Sequence, residues 1–290
     1  MPELPEVETV RRSLERRLEG IQIVGVELYL PRLVKWPEPD VFIQRLENRR
    51  IAAVRRTGKY LRLVLDNATE LVIHLKMTGQ LFYDERGSGE KIAYRRAAFR
   101  LRGGAVLWFG DARTLGALYA VTPEEMGRLP GMMAMGPEPL SDAFTPAYWQ
   151  KLLRAHRGKI KSLLLNQRYI GGLGNIYADE ALFLAKIHPE RPAFSLTIKE
   201  AERLFAAVND VIRAGIADGG TTVRNYLDGE GRAGSHQKKL QVYQRTGESC
   251  PRCGTAIERI VVGGRGSHFC PRCQKKVSRR WETRGKKRGI

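Results

Sequence analysis

The sequence predicts an α+β protein with an N-terminal helix and β-sandwich, a helical second part and a small C-terminal module. Short β-branched and apolar runs recur up to residue 121, which is typical of a sandwich. Helical patterns then follow a Pro- and Gly-rich segment. The C-terminal module stands apart because all four cysteines lie between residues 250 and 273. With 290 residues, the chain is long enough for more than one folding unit.

The domain boundaries follow from these changes in pattern. Residues 129–146 contain four prolines and two glycines, which favour a linker over regular structure. The predicted domains are a helix and β-sandwich domain at 1–130, a linker at 131–146, a helical domain at 147–239 and a cysteine module at 240–290.

The first half of the chain begins with one predicted helix. Pro5 suits the first turn of a helix, and an inner face would be formed by Val7, Val10, Leu14 and Leu18. Seven strands should follow, because each run is short, rich in β-branched residues and bounded by turn residues. These runs are residues 21–30, 51–56, 59–66, 70–75, 97–102, 105–109 and 117–121.

The second half has the pattern of helices joined by short loops. The predicted helices are residues 148–156, 159–167 and 175–186. Thr197 and Glu200 form a capping box that should open a longer helix. Gly219 and Gly220 should end that helix, and the polar, Gly-containing residues 221–239 are expected to form a loop.

Net charge is the strongest signal in the composition. The chain has 50 basic and 31 acidic residues, a net charge of +19 and an isoelectric point near 10.1. Residues 235–290 contain 15 Lys and Arg against three Glu, so the excess is concentrated in the last fifth. It indicates a polyanionic partner, most simply nucleic acid. The longest apolar runs are shorter than the ~20 residues of a membrane span, and the charged N-terminus does not resemble a signal peptide. We therefore expect a cytoplasmic protein without membrane contacts. We also expect a monomer.

The cysteines form two Cys-x-x-Cys pairs, Cys250 with Cys253 and Cys270 with Cys273, separated by 16 residues. This spacing is typical of four thiolates around one tetrahedral Zn²⁺, a structural site because the protein fills every coordination position. Two disulfides are the alternative, and they would need an oxidising compartment that nothing else in the sequence indicates. The segment between the pairs should form a hairpin with Arg265 near its turn, within reach of a phosphate. The module is therefore predicted to be a zinc ribbon.

The first eight residues, Met-Pro-Glu-Leu-Pro-Glu-Val-Glu, offer a nucleophile. Removal of Met1 would leave Pro2 with an amine of the α-amino class, whose pKa of about 7.7–8.0 leaves part of it unprotonated near pH 7. Such an amine can attack an electrophilic carbon and form an iminium. Glu3 is the candidate acid–base partner, and Glu6 lies one helical turn further on. The alternative is a frayed terminus whose glutamates only complement the helix dipole.

Motifs in several places resemble those of the formamidopyrimidine-DNA glycosylase family, bifunctional repair enzymes that use an N-terminal proline. The matching stretches are the opening octet, 58–60, 74–79, 111–116, 160–183 and the cysteine pairs. The resemblance spans nearly the whole chain. It implies a helix-two-turn-helix element in the helical domain, one structural zinc and no nucleotide cofactor. It also implies removal of 8-oxoguanine and formamidopyrimidines from duplex DNA, followed by cleavage at the abasic site through β,δ-elimination. The location it implies is the bacterial cytoplasm, at the nucleoid.

The resemblance implies catalytic roles in the first domain. Pro2 would attack the anomeric carbon, Glu3 would protonate the sugar oxygen or relay protons, and Glu6 would order the site. Lys59, at the mouth of a strand, would hold the phosphates that flank the damaged nucleotide. The loop before the cysteine module would cover the extruded base.

The resemblance also implies DNA contacts. Met77, Arg113 and Leu115 would enter the duplex and fill the gap left by the extruded base, although Met77 and Leu115 would otherwise be assigned to the core. The glycine-rich turn before Asn175 would bring backbone N–H groups to a phosphate. The other predicted DNA contacts are Lys161, Asn175 itself and Arg265.

Three departures from the family pattern concern recognition of the lesion. Leu115 stands where an aromatic wedge is usual, residues 94–96 read Tyr-Arg-Arg where histidines are common, and Ser235-His236 stand where aromatic residues are common. An endonuclease VIII-like enzyme for oxidised pyrimidines is the alternative within the family, and Leu4 argues against it because that branch more often has glycine there. A non-catalytic protein that binds damaged DNA is the alternative from another class, which a retained Met1 would favour.

Overall fold

The structure is a computed structural model that describes residues 1–90, 92–223 and 226–276. Residues 224 and 225 of the predicted loop and residues 277–290 of the predicted cysteine module lie outside the described residues. The chain divides into two compact units. The first contains Met1–Ala134 and Gly215–Lys238, and the second contains Met135–Ala214 and the described residues from Lys239 onward.

The first unit is built from two β-sheets and the helices around them. Its elements are α1 (Leu4–Leu18), β1 (Ile23–Leu28), β2 (Val34–Trp36), α2 (Pro39–Leu46), β3 (Ile51–Thr57), β4 (Tyr60–Leu65), β5 (Glu70–His74), β6 (Gly79–Asp84), β7 (Arg95–Leu101), β8 (Val106–Asp111), β9 (Ala117–Val121) and α3 (Pro130–Met133). One sheet has the strand order β1-β7-β8-β6, and the other has the order β2-β9-β5-β4-β3. β2 pairs with β9 in parallel, whereas the other neighbouring strands pair antiparallel.

Side chains from α1 and from both sheets pack into one apolar core. The inner face of α1 is fully buried, as its periodicity predicts, and Pro5 lies in its first turn. Leu63 of β4 and Phe99 of β7 meet this face with no exposed surface. Full burial of such a side chain stabilises a fold by ~1.5–3 kcal/mol. The core therefore fixes α1, and with it the chain terminus that precedes α1.

The second unit is helical and ends in a β-hairpin. Its elements are α4 (Pro146–Ala155), α5 (Ile160–Leu165), α6 (Asn175–Leu184), α7 (Ile198–Ala217), β10 (Glu258–Val262) and β11 (Arg265–Phe269), with the last residues of α7 assigned to the first unit. The predicted capping box opens α7, because the Glu200 carboxylate accepts the Thr197 N–H at 2.8 Å and the Thr197 hydroxyl accepts the Glu200 N–H at 3.3 Å. Gly263 and Gly264 turn the hairpin at positive φ.

The α+β class and the seven predicted strands are confirmed. Sequence patterns missed β2, α2, β6 and α3, the last of which lies where a linker was predicted. β2 has three residues beside Pro37, and α2 has eight residues and begins at Pro39, so each offers few positions for a periodic pattern. Within the described ranges, the structure contains no helix with the length and apolar character of a membrane span.

Candidate active site

The residues that follow Met1 are held inside the first unit, whereas Met1 itself is exposed. Pro2 is buried, and Glu3 and Glu6 are only 3% and 1% exposed. One carboxylate oxygen of Glu6 accepts the backbone N–H of Glu3 at 2.8 Å, which fixes the entry into α1. The frayed terminus considered above does not occur, because α1 begins at Leu4 and packs into the core.

Three predicted catalytic residues and one predicted DNA contact act electrostatically on the terminal amino group. Burial lowers the pKa of the Met1 amine from its usual value, while the charges of Glu3 and Glu6 raise it and those of Lys59 and Arg113 lower it. The structure therefore brings these four side chains close to the terminus. An amine in such a site is neutral, and so nucleophilic, at a lower pH than an exposed one.

Glu6 also joins α1 to the segment that follows α7. Its second carboxylate oxygen accepts the backbone N–H of Thr221 at 2.7 Å. The hydroxyl of Tyr226 donates to the Glu6 carbonyl at 3.1 Å, and burial raises the pKa of this tyrosine. Sequence reasoning missed Thr221 and Tyr226, because more than two hundred residues separate them from Glu6.

Lys59 follows Gly58 in the tight turn between β3 and β4 and is 5% exposed. His74 ends β5, where it lies opposite Tyr60 in the register and contacts its ring edge-on. Burial, together with the charges of Lys76 and Lys59, lowers the pKa of His74 to about 3. The imidazole is therefore neutral near pH 7.

The three predicted wedge residues lie on two loops joined by a buried aspartate. Met77 and Leu115 are 43% and 46% exposed, and Arg113 is exposed as well. Asp111 accepts the Thr78 hydroxyl at 2.5 Å and the Arg113 N–H at 3.2 Å through one carboxylate oxygen. Met77 and Leu115 therefore do not belong to the core, which was the alternative to a role in DNA contact.

The second unit contains the remaining predicted DNA contacts. Arg265 is exposed at the start of β11, and Asn175 is the first residue of α6. The Asn175 amide donates to the Gly266 carbonyl at 3.0 Å. Its carboxamide oxygen is buried and accepts no hydrogen bond from the described residues. Lys161 differs, because it is fully buried and its ammonium donates to Asp179 at 2.5 Å and to the Gly266 carbonyl at 2.9 Å.

Two adjacent acidic residues of α6 bind segments far away in the sequence. Asp179 accepts the backbone N–H of His268 at 3.0 Å, so it joins β11 to α6. Glu180 accepts the backbone N–H groups of Gln241, Val242 and Tyr243 at 2.8–2.9 Å. Burial raises the pKa of Glu180, and the three N–H donors oppose that shift. Sequence reasoning gave neither residue a role.

The four cysteines form a metal site of the expected geometry. Their sulfur atoms all lie within 4.8 Å of one another, and the Cys250–Cys273 and Cys253–Cys270 pairs are 3.9 and 3.5 Å apart. Tetrahedral thiolates at the usual Zn–S distance would be about 3.8 Å apart, whereas disulfide sulfurs are about 2.05 Å apart. The donor set fits one structural Zn²⁺, and the alternative of two disulfides is excluded.

The zinc module is bound to the C-terminal end of α6. The Arg252 guanidinium donates to the Phe183 carbonyl at 2.8 Å and lies 4.3 Å from the centroid of the Phe183 ring. Gln274 accepts the Cys270 N–H at 2.9 Å and donates to the Ile187 carbonyl at the same distance. The module therefore donates hydrogen bonds to the Phe183 carbonyl at the end of α6 and to the Ile187 carbonyl just after it.

Three family models match the chain. They are the Formamidopyrimidine-DNA glycosylase N-terminal domain at residues 1–118, the Formamidopyrimidine-DNA glycosylase H2TH domain at 135–226 and the Zinc finger found in FPG and IleRS at 247–276. A formamidopyrimidine-DNA glycosylase from Desulforamulus reducens is 50% identical over 277 residues, which cover 95% of this chain and 99% of the relative.

Solved structures show the same similarity. The Lactococcus lactis Fpg in complex with abasic-site DNA matches with a TM-score of 0.88 and 36% identity, over 94% of this chain and 100% of that chain. A MutM structure with carbocyclic 8-oxo-G DNA matches with a TM-score of 0.87 and 36% identity, over 95% of this chain and 100% of that chain. The fold and the matched domains define a DNA repair enzyme, a DNA glycosylase with one structural zinc. The chain belongs to the formamidopyrimidine-DNA glycosylase family.

Proposed function

We propose that this chain removes oxidised purines from duplex DNA and then cleaves the strand at the abasic site. The observation that supports this most directly is the buried Pro2 next to an amino terminus on which the charges of Glu3, Glu6, Lys59 and Arg113 all act. The substrate class is suggested by relatives solved with abasic-site DNA and with carbocyclic 8-oxo-G DNA. The net charge of +19 suits a polyanionic substrate.

Pro2 is the proposed nucleophile once Met1 has been removed. Its secondary amine attacks C1′ of the extruded nucleotide, and the bond from C1′ to the base breaks with its electron pair leaving on the base. The attack leaves the Pro2 nitrogen protonated, and this proton passes to the Glu3 carboxylate, while the expelled base takes up a proton from solvent. Glu3 protonates the sugar ring oxygen, so that the ring opens and the nitrogen–carbon link becomes an iminium. The cationic nitrogen then acidifies the C2′ protons, which allows both phosphate–sugar bonds to be eliminated in turn.

Glu6 orders this site without taking part in the bond changes. Its carboxylate binds the N–H of Glu3 and the N–H of Thr221, so it sets the acid–base residue and the loop after α7 relative to each other. We propose that this loop covers the extruded base. A loop fixed beside the nucleophile would exclude water and hold the base in reach.

The DNA contacts are proposed separately for the two units. In the first, Lys59 holds phosphates beside the lesion, while Met77, Arg113 and Leu115 fill the gap in the duplex. The other proposed phosphate contacts, in the second unit, are Asn175 and Arg265. Zinc, when bound, holds the ribbon that carries Arg265. The enzyme would act as a monomer in the bacterial cytoplasm, at the nucleoid.

Lys161 receives a different role from the direct DNA contact that the resemblance implies. Its ammonium is fully buried, so we propose that it positions the Gly266 carbonyl and Asp179. The same carbonyl accepts the Asn175 amide, which binds one proposed phosphate contact to the residue that follows the other, Arg265.

Borohydride trapping tests the proposed nucleophile. Wild-type enzyme with an abasic or 8-oxoguanine duplex should give a covalent adduct, because borohydride reduces the iminium to a stable amine. Pro2→Gly should reduce trapping, and Glu3→Gln should suppress base release, whereas Glu15→Gln on the exposed side of α1 should leave both unchanged. Normal trapping by protein that retains Met1 would refute the role of Pro2. Binding without any trapping would favour the non-catalytic alternative, and preferential excision of oxidised pyrimidines would favour the endonuclease VIII-like one.

A further inference from the structure

Three surface loops of the first unit are joined through Asp111. Its carboxylate accepts the Thr78 hydroxyl at 2.5 Å and the Gly116 N–H at 2.7 Å. Its backbone N–H donates to the Tyr94 carbonyl at 3.0 Å, and its own carbonyl accepts the Arg96 guanidinium at 2.9 Å. The three loops are residues 75–79, 92–96 and 111–116. We expect them to behave as one rigid surface, because Asp111 is 1% exposed and bonded on every side.

Each of these loops combines a left-handed residue with an exposed apolar side chain. Lys76, Tyr94 and Thr114 have φ values of 52°, 55° and 52°, although none is glycine. Met77, Tyr94 and Leu115 are 43%, 62% and 46% exposed. A left-handed conformation is unusual for a bulky aromatic residue and costs free energy, so its occurrence at an exposed position is a sign of function. Tyr94 is the member of this group to which the proposed function assigns no role.

Positive charge lies beside the Tyr94 ring and along the neighbouring loop. The Arg96 guanidinium carbon is 5.9 Å from the centroid of the ring. Arg32 donates to the Thr114 hydroxyl at 2.8 Å, which places a second guanidinium on the loop that carries Arg113 and Leu115. Aromatic faces flanked by cations are how proteins bind unstacked bases and the phosphates next to them.

We propose that Tyr94 is a further DNA-binding residue, whose ring packs against an unstacked base or sugar beside the lesion. It would supply the aromatic face that Leu115 lacks, from a different loop but on the same rigid surface. The proposal rests on the proposed function of Met77, Arg113 and Leu115, because it needs the duplex to open over these loops. The ligand is a nucleobase in DNA that has lost its stacking neighbour.

Tyr94→Gly is the most informative variant, because glycine adopts positive φ without strain and removes only the ring. The variant should bind a duplex containing a tetrahydrofuran abasic analogue about tenfold more weakly than wild type. Its melting temperature should be equal or higher, since the strain at this position is relieved. Tyr94→Phe keeps the ring and should bind like wild type. Tyr29→Ala is the matched control, because Tyr29 is 50% exposed in the same unit but lies outside the three loops.

A fluorescent base reports the contact directly. 2-Aminopurine placed opposite the abasic analogue should be quenched by wild type and by Tyr94→Phe, and should stay bright with Tyr94→Gly. The proposal is overturned if Tyr94→Gly binds within about twofold of Tyr29→Ala, or if its weaker binding comes with a lower melting temperature. Borohydride trapping of the same proteins distinguishes failure of the proposed function from failure of the Tyr94 proposal. If wild type is not trapped, the proposed function is refuted. If wild type is trapped and Tyr94→Gly binds DNA as wild type does, only the role of Tyr94 is refuted.

Discussion

Replacing Lys161 by Met should destabilise the second unit without changing how many phosphates the protein neutralises. Lys161 and Asp179 both have fully buried side chains, and their charged atoms are 2.5 Å apart. Methionine fills a similar volume but cannot pair with the Asp179 carboxylate. The carboxylate would then keep its contacts with the backbone N–H and the imidazole ring of His268. Removing one partner of a buried ion pair costs about 3–5 kcal/mol. The Gly266 carbonyl keeps the Asn175 amide, so its loss adds little.

Two measurements separate this positioning role from a direct DNA contact. Zinc release during urea unfolding, followed with a chromogenic chelator, reports the stability of the second unit, which contains the metal site. The slope of log K against log salt reports phosphate contacts, and each lysine that neutralises a phosphate contributes about 0.9 to it. We expect Lys161→Met to lower the unfolding midpoint strongly and to leave the slope unchanged.

Lys159→Met is the matched control. Lys159 is 47% exposed and pairs with Glu190 at 2.7 Å on the surface. Such pairs contribute about 0–1 kcal/mol, so this variant should unfold close to wild type. The positioning role is refuted if Lys161→Met is as stable as Lys159→Met and its salt slope falls by about 0.9.

Three further predictions concern the metal, a buried histidine and the wedge loops. Chelation of zinc, or Cys253→Ser, should reduce DNA binding and expose the amides of α6 to hydrogen exchange, because Arg252 binds the Phe183 carbonyl at the end of that helix and Gln274 binds the Ile187 carbonyl just after it. Unchanged protection of α6 would contradict this. His74 binds a proton in the unfolded chain but, with its pKa of about 3, hardly in the folded one. The free energy of unfolding should therefore fall by about 1.4 kcal/mol per pH unit as the pH drops from 6 towards 4. Equilibrium unfolding of His74→Gln should lack this contribution to the pH dependence. Asp111→Asn should flatten the ranking of 8-oxoguanine excision opposite the four bases, and Arg113→Ala should do the same. Single-turnover rates that keep the wild-type ranking in Asp111→Asn would show that Asp111 does not position Arg113.

Local patterns were sufficient to predict most of the fold. The alternation of Leu61, Leu63 and Leu65 with more exposed residues gave one buried face to β4, and the structure has that face. The cysteine spacing predicted the metal site, because four ligands close together in the chain need only one hairpin to meet. Short elements next to prolines, such as β2 and α2, escaped prediction because they offer few positions for a periodic pattern.

The candidate site was predictable only as a set of exposed or reactive residues. Glu3, Met77 and Arg113 stand in motifs, and motifs are visible in the sequence. Their supports are not, because Thr221 meets Glu6, and His268 meets Asp179, only after the chain has folded. Lys161 illustrates the limit, since a lysine in a DNA-binding motif gives no sign in the sequence that its ammonium is buried.

The buried carboxylates of this protein share one physical role that connects its fold to its chemistry. Glu6, Asp111 and Glu180 each accept N–H groups from loops that continue into proposed functional residues. A buried carboxylate is costly unless several donors satisfy it, and one with several donors fixes all of them at once. An amide of the same shape cannot do this, because its NH₂ group would face another N–H donor. What positions the nucleophile, the wedge and the phosphate contacts is the capacity of one carboxylate to accept hydrogen bonds from two or three directions.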